Sequence, residues 1–475
     1  MTIREPEREI EVLNEVDVVV AGAGVAGCAA AVAAARAGAR TMLIERNGVL
    51  GGVATTGLMA NIGNLYMDGD GRMVVHGLSK EVVDRMVSRG AASAKWASRE
   101  VPGVVIDSEQ LKILLIEMEQ EARVRVLTHT LAARPIMEGN IVKGVFIESK
   151  MGRQAVLAKV IVDATGEADM AYQAGCPMRW EEGSASLEFK MSRVNLDELY
   201  QHFKRYPETF PIGMDMVKGF SEFEQNWIER GIFFFPHGGG TKWDIIQKAI
   251  KKGEFQPTRG ILYLLDATGM YGLKHLDSVV INSNFWRVKS LNTPDLSLAE
   301  LETQKACYYV ADFFQKNVPG FEKAYIVQMA TALGIRTSRG IEGETTLTSE
   351  DTSSNKLIHF NDTIGCAPAH AGFKKTGEFF HRHTFDIPYR IMVPKKVENL
   401  LVGSGKSVSC QPQGIIRAMA TCMLLGQASG TAAALAAKLG KIPQQLDIRE
   451  LQKKLLVDGV YLGDDKRLKE LKLLS

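Results

Sequence analysis

Cysteine is scarce in this chain, and no pair of cysteines is spaced for chemistry. Cys28, Cys176, Cys307, Cys366, Cys410 and Cys422 contain no C-x-x-C, the spacing that structural zinc and most iron–sulfur sites require. Six free thiols are expected. An excess of charge of one sign is missing too: 57 Lys+Arg against 55 Asp+Glu leave a formal charge of +2. Nucleic acid and membrane surfaces select a concentrated basic signature, so neither is an expected partner. The N-terminus, Met-Thr-Ile-Arg-Glu-Pro-Glu-Arg-Glu-Ile, lacks the apolar core of a secretory signal. No apolar stretch is read as reaching the roughly 20 residues of a spanning helix, which makes the cytoplasm the default location. Neither H-E-x-x-H nor clustered His and carboxylate spacing supports a metal, and the lack of G-x-S-x-G argues against an esterase around His237-Gly238. Gly405-Lys406-Ser407 imitates a P-loop, but Leu400 stands where that motif needs its first glycine.

With 475 residues, 45% apolar and 24% charged, the chain exceeds the roughly 250–300 residues that one core organises. Two domains are expected. Val16 to Ala21 is a β-branched run, glycines follow, an alanine-rich helix extends to about Ala37, and Thr41 to Ile44 is a second apolar run. This is a βαβ unit. Gly22-Ala-Gly24-Val25-Ala26-Gly27 lies between its strand and its helix, the context that gives G-x-G-x-x-G its meaning. The first glycine permits a tight turn, the second lets backbone approach a pyrophosphate, and the third allows close helix packing. The helix N-terminus then faces the anion. Glu45 ends the second strand, where a carboxylate accepts ribose hydroxyls and disfavours a 2′-phosphate.

A second glycine stretch follows at once: Arg46-Asn-Gly-Val-Leu-Gly51-Gly52, then Thr55-Thr56-Gly57. In this the chain resembles the two-dinucleotide-binding-domain flavoproteins. The resemblance continues at Asp163-Ala164-Thr165-Gly166 and at Leu400-Leu-Val-Gly403-Ser-Gly405, which look like that superfamily's segments beside FAD. More narrowly, Gly334-Ile-Arg336-Thr-Ser-Arg339, Asp386-Ile-Pro-Tyr389-Arg390 and Gln413-Gly414-Ile415-Ile-Arg417 resemble the FAD-dependent oxidoreductase family related to fumarate reductase flavoproteins. The resemblance implies FAD as cofactor, bound by Gly22, Gly24, Val25, Ala26, Gly27, Glu45, Arg46, Gly51, Gly52, Thr55, Ala164, Thr165, Gly166, Gly403, Gln413, Gly414 and Ile415. It also implies a helix starting near Gly414 and aimed at the flavin's pyrimidine edge. No His, Cys or Tyr falls between Gly48 and Met59, so tethering there is impossible and non-covalent FAD is expected. Relatives often carry a histidine before the Gln-Gly pair, whereas this chain has Ser407-Val-Ser-Cys410-Gln-Pro. If that histidine serves chemistry in relatives, either the reaction here differs or another residue supplies the proton.

The expected fold is α/β. A Rossmann-type FAD-binding domain, with a parallel sheet and a small antiparallel meander at 131–162, would occupy 12–180 and 391–445. An α+β substrate domain would be inserted at 181–390, and a Lys-rich helical tail at 446–475 would pack on the surface. For acid and base work the densest cluster is His381-Arg382-His383 with Tyr389-Arg390, near the domain junction where ligands tend to bind. One of His381, His383 and Tyr389 is the expected acid or base, with Arg390 or Arg336 orienting an anionic substrate. Arg336 and Arg339 could equally be interdomain ion-pair residues. Without a second G-x-G-x-x-G for a nicotinamide domain, the electron acceptor is left open between oxygen, an organic substrate and a protein partner. The function expected is hydride transfer between flavin and a small polar metabolite. The alternative is a flavin-bearing subunit of a larger electron-transfer or RNA-modifying assembly. A homo-oligomer is compatible with either.

Overall fold

The computed structural model describes residues 2–3, 6–63, 65–98, 101, 103–210, 219–241, 243–254, 261–352, 358–369 and 383–474. His381, expected in the catalytic cluster, lies outside the described residues. Val12–Ala21 (β1), Val25–Arg36 (α1) and Thr41–Ile44 (β2) make the predicted unit, with β1 and β2 parallel and Ala21 level with Ile44. Strand β1 begins ahead of the apolar run because Val12 to Glu15 pair with a neighbouring strand while staying largely exposed. Leu78–Ser88 (α2) and Ser108–Glu121 (α3) follow, then Arg125–Leu127 (β3), Leu131–Glu138 (β4), Ile141–Ser149 (β5) and Gly152–Asp163 (β6).

One sheet of seven strands holds these together. Strand β6 belongs to two structures at once. Its first half pairs antiparallel with β5 in the meander, and its second half lies between β1 and the late strand Leu400–Val402, both parallel to it. Ala21 and Val402 are both level with Asp163. The three strands therefore stop together, and the turns after them open on one edge, the carboxyl edge where ligands sit in doubly wound sheets.

The long helix Met419–Leu439 lies across α1. Contact is backbone-close: a Cβ on Gly426 would stand 2.1 Å from the Ala26 carbonyl oxygen, and one on Gly430 2.0 Å from that of Ala30. Two sequence expectations change here. Residues 413–415 form a 3-10 turn and Ala418 is extended, so the helix starts at Met419 rather than near Gly414. The intervening chain is pressed onto Gly405, whose missing Cβ would lie 2.2 Å from the Ile416 carbonyl oxygen. The helix is also long and apolar enough, by length and composition, to cross a membrane, contrary to the expectation that no segment is. In the fold it is an interior element, with 94% of its apolar window buried in the protein.

Apolar side chains form two cores. One runs from Val16 to Cys176 and resumes from Ile341 to Leu462, while the other is drawn mainly from Leu187 to Ala330 and is dense in aromatics. The segment 181–390 thus divides between them, with Ile341, Phe385, Ile387 and Tyr389 in the first. Above the second core, five antiparallel strands form one sheet, and Gly183–Ser186, Ile261–Tyr263, Phe285–Val288 and Gly334–Ile335 form another. The C-terminal tail is anchored rather than laid on the surface. Leu451 and Leu455 are fully buried, the Gln452 amide donates to the carbonyls of Asn361 and Thr363 at 2.9 and 3.0 Å, and Arg467 pairs with buried Asp386 at 2.9 Å. All six cysteines are buried free thiols.

Candidate active site

At the carboxyl edge each glycine has its own steric reason. Gly22 has φ +95° and lies against the Ala164 carbonyl oxygen, 2.6 Å from where a Cβ would be, and a Cβ on Gly27 would sit 1.8 Å from the Gly22 carbonyl oxygen. Gly24 is different: nothing lies within 4 Å of its would-be Cβ, and as N-cap of α1 it supplies no side-chain cap. Space and amides are left for an anion. Gly51 donates to the Ala23 carbonyl at 2.8 Å, and a Cβ on Gly52 would stand 2.9 Å from the Gly24 Cα. The two glycine stretches are therefore one structure, folded onto each other. Thr55 closes the turn, its Oγ1 donating to Leu50 at 2.6 Å. Glu45 is buried, accepting the Ala23 amide at 2.8 Å and both the backbone and side-chain N–H of Asn47 at 2.9 and 2.8 Å. Its neighbour Arg46 is exposed.

The second and third turns are tied by side chains. Buried Asp163 accepts the amides of Thr165 and Ala171 at 3.1 and 2.9 Å and the Thr165 hydroxyl at 2.7 Å, fixing Ala164-Thr165-Gly166. Lys406, beside Gly166, ion-pairs with Glu167 and donates to the Ile335 carbonyl at 2.9 Å. Arg339 pairs with Asp169, donates to the Glu167 carbonyl at 2.8 Å and stacks over Tyr172 at 4.0 Å. It is an ion-pair residue. Gln413 spends its side chain on Ser338, accepting its amide at 2.9 Å and donating to its carbonyl at 3.1 Å, while its own amide donates to Glu181 at 2.8 Å. Gly414 and Ile415 complete that 3-10 turn.

The described members of the cluster expected to carry acid and base chemistry are engaged in structural contacts. Tyr389 is buried in the first core, its hydroxyl donating to the Pro443 carbonyl at 3.1 Å, and burial pushes its phenol far above the ordinary range. Arg390 is half exposed and pairs with Asp362 at 3.0 Å. His383 contacts the Thr352 carbonyl through Nε2. No hydrogen bond or ion pair among the described residues links any of them to Arg336. Sequence proximity to the junction misled here, because the strand Thr384–Pro388 returns the chain to the first core before Tyr389 is reached. Cys410 is buried too, its thiol donating to the Pro412 carbonyl at 3.4 Å.

A different cluster forms where the smaller upper sheet meets the three turns. Arg336 follows Gly334–Ile335, and its guanidinium lies 5.4 Å from the centre of the Phe285 ring. On that ring also packs His237, 5.1 Å between centroids. Burial, then the cations of Arg336 and Arg417, hold the His237 imidazolium down to about 3, so the ring is neutral at pH 7. Arg417 is itself lowered to about 9 by burial and by Arg336, and stays charged at pH 7. Among the described residues neither Arg336 nor Arg417 forms an ion pair. Glu188 is buried on the same seam, at the crossover between Gly183–Ser186 and Phe189–Ser192. Of this group only Arg336 was expected. In sequence His237 stands only before a glycine run, and Arg417 only within a motif. Glu188, inside an unremarkable Leu-Glu-Phe, carries no local signal.

Residues 17–455 match the sequence profile of the FAD dependent oxidoreductase family. The chain belongs to that family. Two curated archaeal relatives are similar over part of their length. The digeranylgeranylglycerophospholipid reductase of Methanoculleus marisnigri is 28% identical over 195 residues, covering 39% of this chain and 48% of the relative. The digeranylgeranylglycerophospholipid reductase 2 of Methanopyrus kandleri is 30% identical over 214 residues, covering 42% and 50%. This chain thus spans about half the length of those relatives. Among solved structures, a geranylgeranyl bacteriochlorophyll reductase-like protein of Thermoplasma acidophilum aligns at TM-score 0.45 and 15% identity, covering 97% of this chain and 89% of that one. A p-nitrophenol 4-monooxygenase of Pseudomonas putida aligns at 0.47 and 11%, covering 97% and 96%.

FAD is the cofactor of this FAD-dependent oxidoreductase, and the edge just described fits it. The uncapped start of α1, the open space at Gly24 and the carboxylate of Glu45 at the end of β2 supply what a dinucleotide needs. Gly166 and Gly403 keep the neighbouring turns low, the latter because a Cβ would meet Ser429 Oγ at 2.5 Å.

Proposed function

We propose that this FAD-dependent oxidoreductase transfers a hydride between non-covalent FAD and a small polar metabolite bearing a negative charge, bound where the upper sheet meets the carboxyl edge. The observation that carries this reading is the pair Arg336 and Arg417. Burial and the nearby Arg336 lower the proton affinity of Arg417, and among the described residues neither guanidinium forms an ion pair. Such an arrangement is unfavourable unless an anion completes it. When bound, FAD supplies the two-electron chemistry and the protein supplies position and a proton path. Arg336 and Arg417 would hold a carboxylate or phosphate through charge-assisted bonds. Phe285 would give one apolar wall, and neutral His237 would offer a donor or an acceptor. The FAD contacts assigned to Gly22, Gly24, Glu45, Gly51, Gly52, Gly166 and Gly403 are part of the same proposal. So are the kinship with fumarate reductase flavoproteins and the division into an FAD-binding and a substrate domain.

An anaerobic screen of the yellow holoenzyme tests it. Hydroxy acids, amino acids, unsaturated acids and sugar phosphates are offered, alongside their neutral analogues and a polyprenyl phospholipid, the kind of compound named in the archaeal relatives. In the oxidising direction flavin absorbance should bleach with an anionic metabolite and resist its neutral analogue. In the reducing direction such a metabolite should recolour the dithionite-reduced protein. A response to the phospholipid alone sinks the reading.

A further inference from the structure

Glu188 on the seam keeps a buried side-chain oxygen whose hydrogen-bonding capacity is not used up by the fold. Leu187 and Phe189, on either side of Glu188, belong to the second core, and Gly334, two residues before Arg336, pairs with Ser186, two residues before Glu188. Its backbone is fixed on both sides: the Asn284 side chain accepts from the Leu187 amide at 2.9 Å and donates to its carbonyl at 2.8 Å, and the Glu188 carbonyl accepts from Ala330 at 2.8 Å. The side chain is 2% exposed and Oε2 has no hydrogen-bond partner. A buried, unpartnered carboxyl is costly, and natural folds keep few of them. The charged group acting on it is Arg336, and its own charge is felt by Cys307 from the helix Thr293–Asn317.

We infer that Glu188 carries the proton that accompanies hydride transfer, donating it from Oε2 to the substrate held by Arg336 and Arg417. This rests on the function proposed above. In the reducing direction the carboxyl O–H bond breaks and its proton forms a new bond to one atom of the substrate's double bond. The hydride from reduced FAD bonds to the other atom, so that the substrate gains two electrons and FAD is left oxidised. Arg336 stabilises the carboxylate that remains, which takes its proton back from water. In the oxidising direction each transfer reverses. Burial favours the neutral carboxyl far above the ordinary carboxylate range, and Arg336 opposes it. That direction favours the protonated carboxyl, the state that proton donation requires.

The test is the pH dependence of the flavin midpoint potential in FAD-loaded wild type, E188Q and E188D, measured without substrate. A carboxyl that changes protonation with the flavin puts a break in the slope of potential against pH. That break should vanish in E188Q and reappear, displaced, in E188D. Identical slopes in wild type and E188Q overturn the assignment, whatever the metabolite screen finds. With an active metabolite in hand, E188Q should lower kcat about 100-fold or more while KM moves little. An equal loss of kcat with unchanged slopes would mark Glu188 as structural and likewise overturn it. Failure of the screen with the slope difference intact would fault the proposed substrate and leave the proton role standing.

Discussion

The carboxyl edge and the seam above it solve opposite problems. At the edge, Gly22, Gly24, Gly27, Gly51 and Gly52 come from one short stretch of chain, and the fold removes side chains so that backbones can touch each other or a ligand. At the seam, Glu188, His237, Phe285, Arg336 and Arg417 come from five distant segments, and the fold adds charge where it is least welcome. The first region is built by subtraction and is dictated locally. The second is built by convergence and exists only once the strands are paired.

The largest effect that sharpens this contrast is expected within the edge itself. Gly27→Ala puts a Cβ 1.8 Å from the Gly22 carbonyl oxygen, a backbone clash that no rotamer relieves. Its cost should exceed the about 1–3 kcal/mol of ordinary overpacking, visible as a lower Tm of the apoprotein and loss of bound flavin. Gly24→Ala meets nothing within 4 Å and lies in an extended conformation, φ −64° and ψ 173°, that any residue adopts. The apoprotein Tm should hold while FAD affinity falls about tenfold or more, the consequence of roughly 1.4 kcal/mol of lost contact. If both variants lose stability equally, the open space at Gly24 is not a ligand's place.

At the seam the signs should reverse. Arg336→Ala removes a like charge that acts on Arg417, so apoprotein stability should be unchanged or slightly higher. KM for an anionic metabolite should rise about 10- to 100-fold, the worth of one charge-assisted bond. Denaturation of the apoprotein and steady-state kinetics separate the two effects. A variant that is both unstable and unchanged in KM would make Arg336 an ordinary structural residue.

How much was legible beforehand follows the same division. The βαβ unit, the glycine loop, Glu45 and the meander were read directly, because hydrophobic period and turn chemistry are local signals. The start of the long helix was placed early, since Gly414-Ile415-Ile416 continues an apolar run and only the packing of Gly405 against Ile416 breaks it. Arg339 forms an ion pair whereas Arg336, three residues before it, forms none among the described residues, a difference set by whether Asp169 or Phe285 faces them. Glu188 could not be seen, because burial of a lone glutamate depends on a crossover between two sheets.

The first core and the seam each also hide a carboxylic acid with a buried oxygen left without a hydrogen bond, which gives a pH comparison. Glu119 on α3 is 1% exposed, with neither oxygen hydrogen-bonded, in a small apolar cavity lined by Cys28, Val32, Leu115 and Met423. Burial raises its proton affinity well above the ordinary value of 4.5. A raised folded pKa means the folded state binds the proton more tightly than the unfolded one. Its stabilising share is therefore complete below about 4.5 and is lost as pH rises toward the folded pKa. Glu119→Gln should thus flatten the fall of Tm with pH above that point, without touching the flavin potential. Glu188→Gln should flatten the Tm profile and alter the potential as well. Equal behaviour in both measurements would erase the distinction between a structural and a working acid.

The smallest effect concerns the residue that the sequence favoured and the fold reassigned. Tyr389→Phe removes one hydroxyl that donates to the Pro443 carbonyl at 3.1 Å and leaves the ring in the first core. The loss should be about 1 kcal/mol of stability, the net worth of one neutral hydrogen bond plus the orphaned acceptor. Rate and pH profile should stay as in wild type, because no hydrogen bond or ion pair among the described residues joins Tyr389 to Arg336 and burial pushes its phenol far above the ordinary range. A change in kcat with Tm held would move the chemistry from the seam back to the 383–390 segment. It would make proximity in sequence to the junction a better guide than convergence of charge.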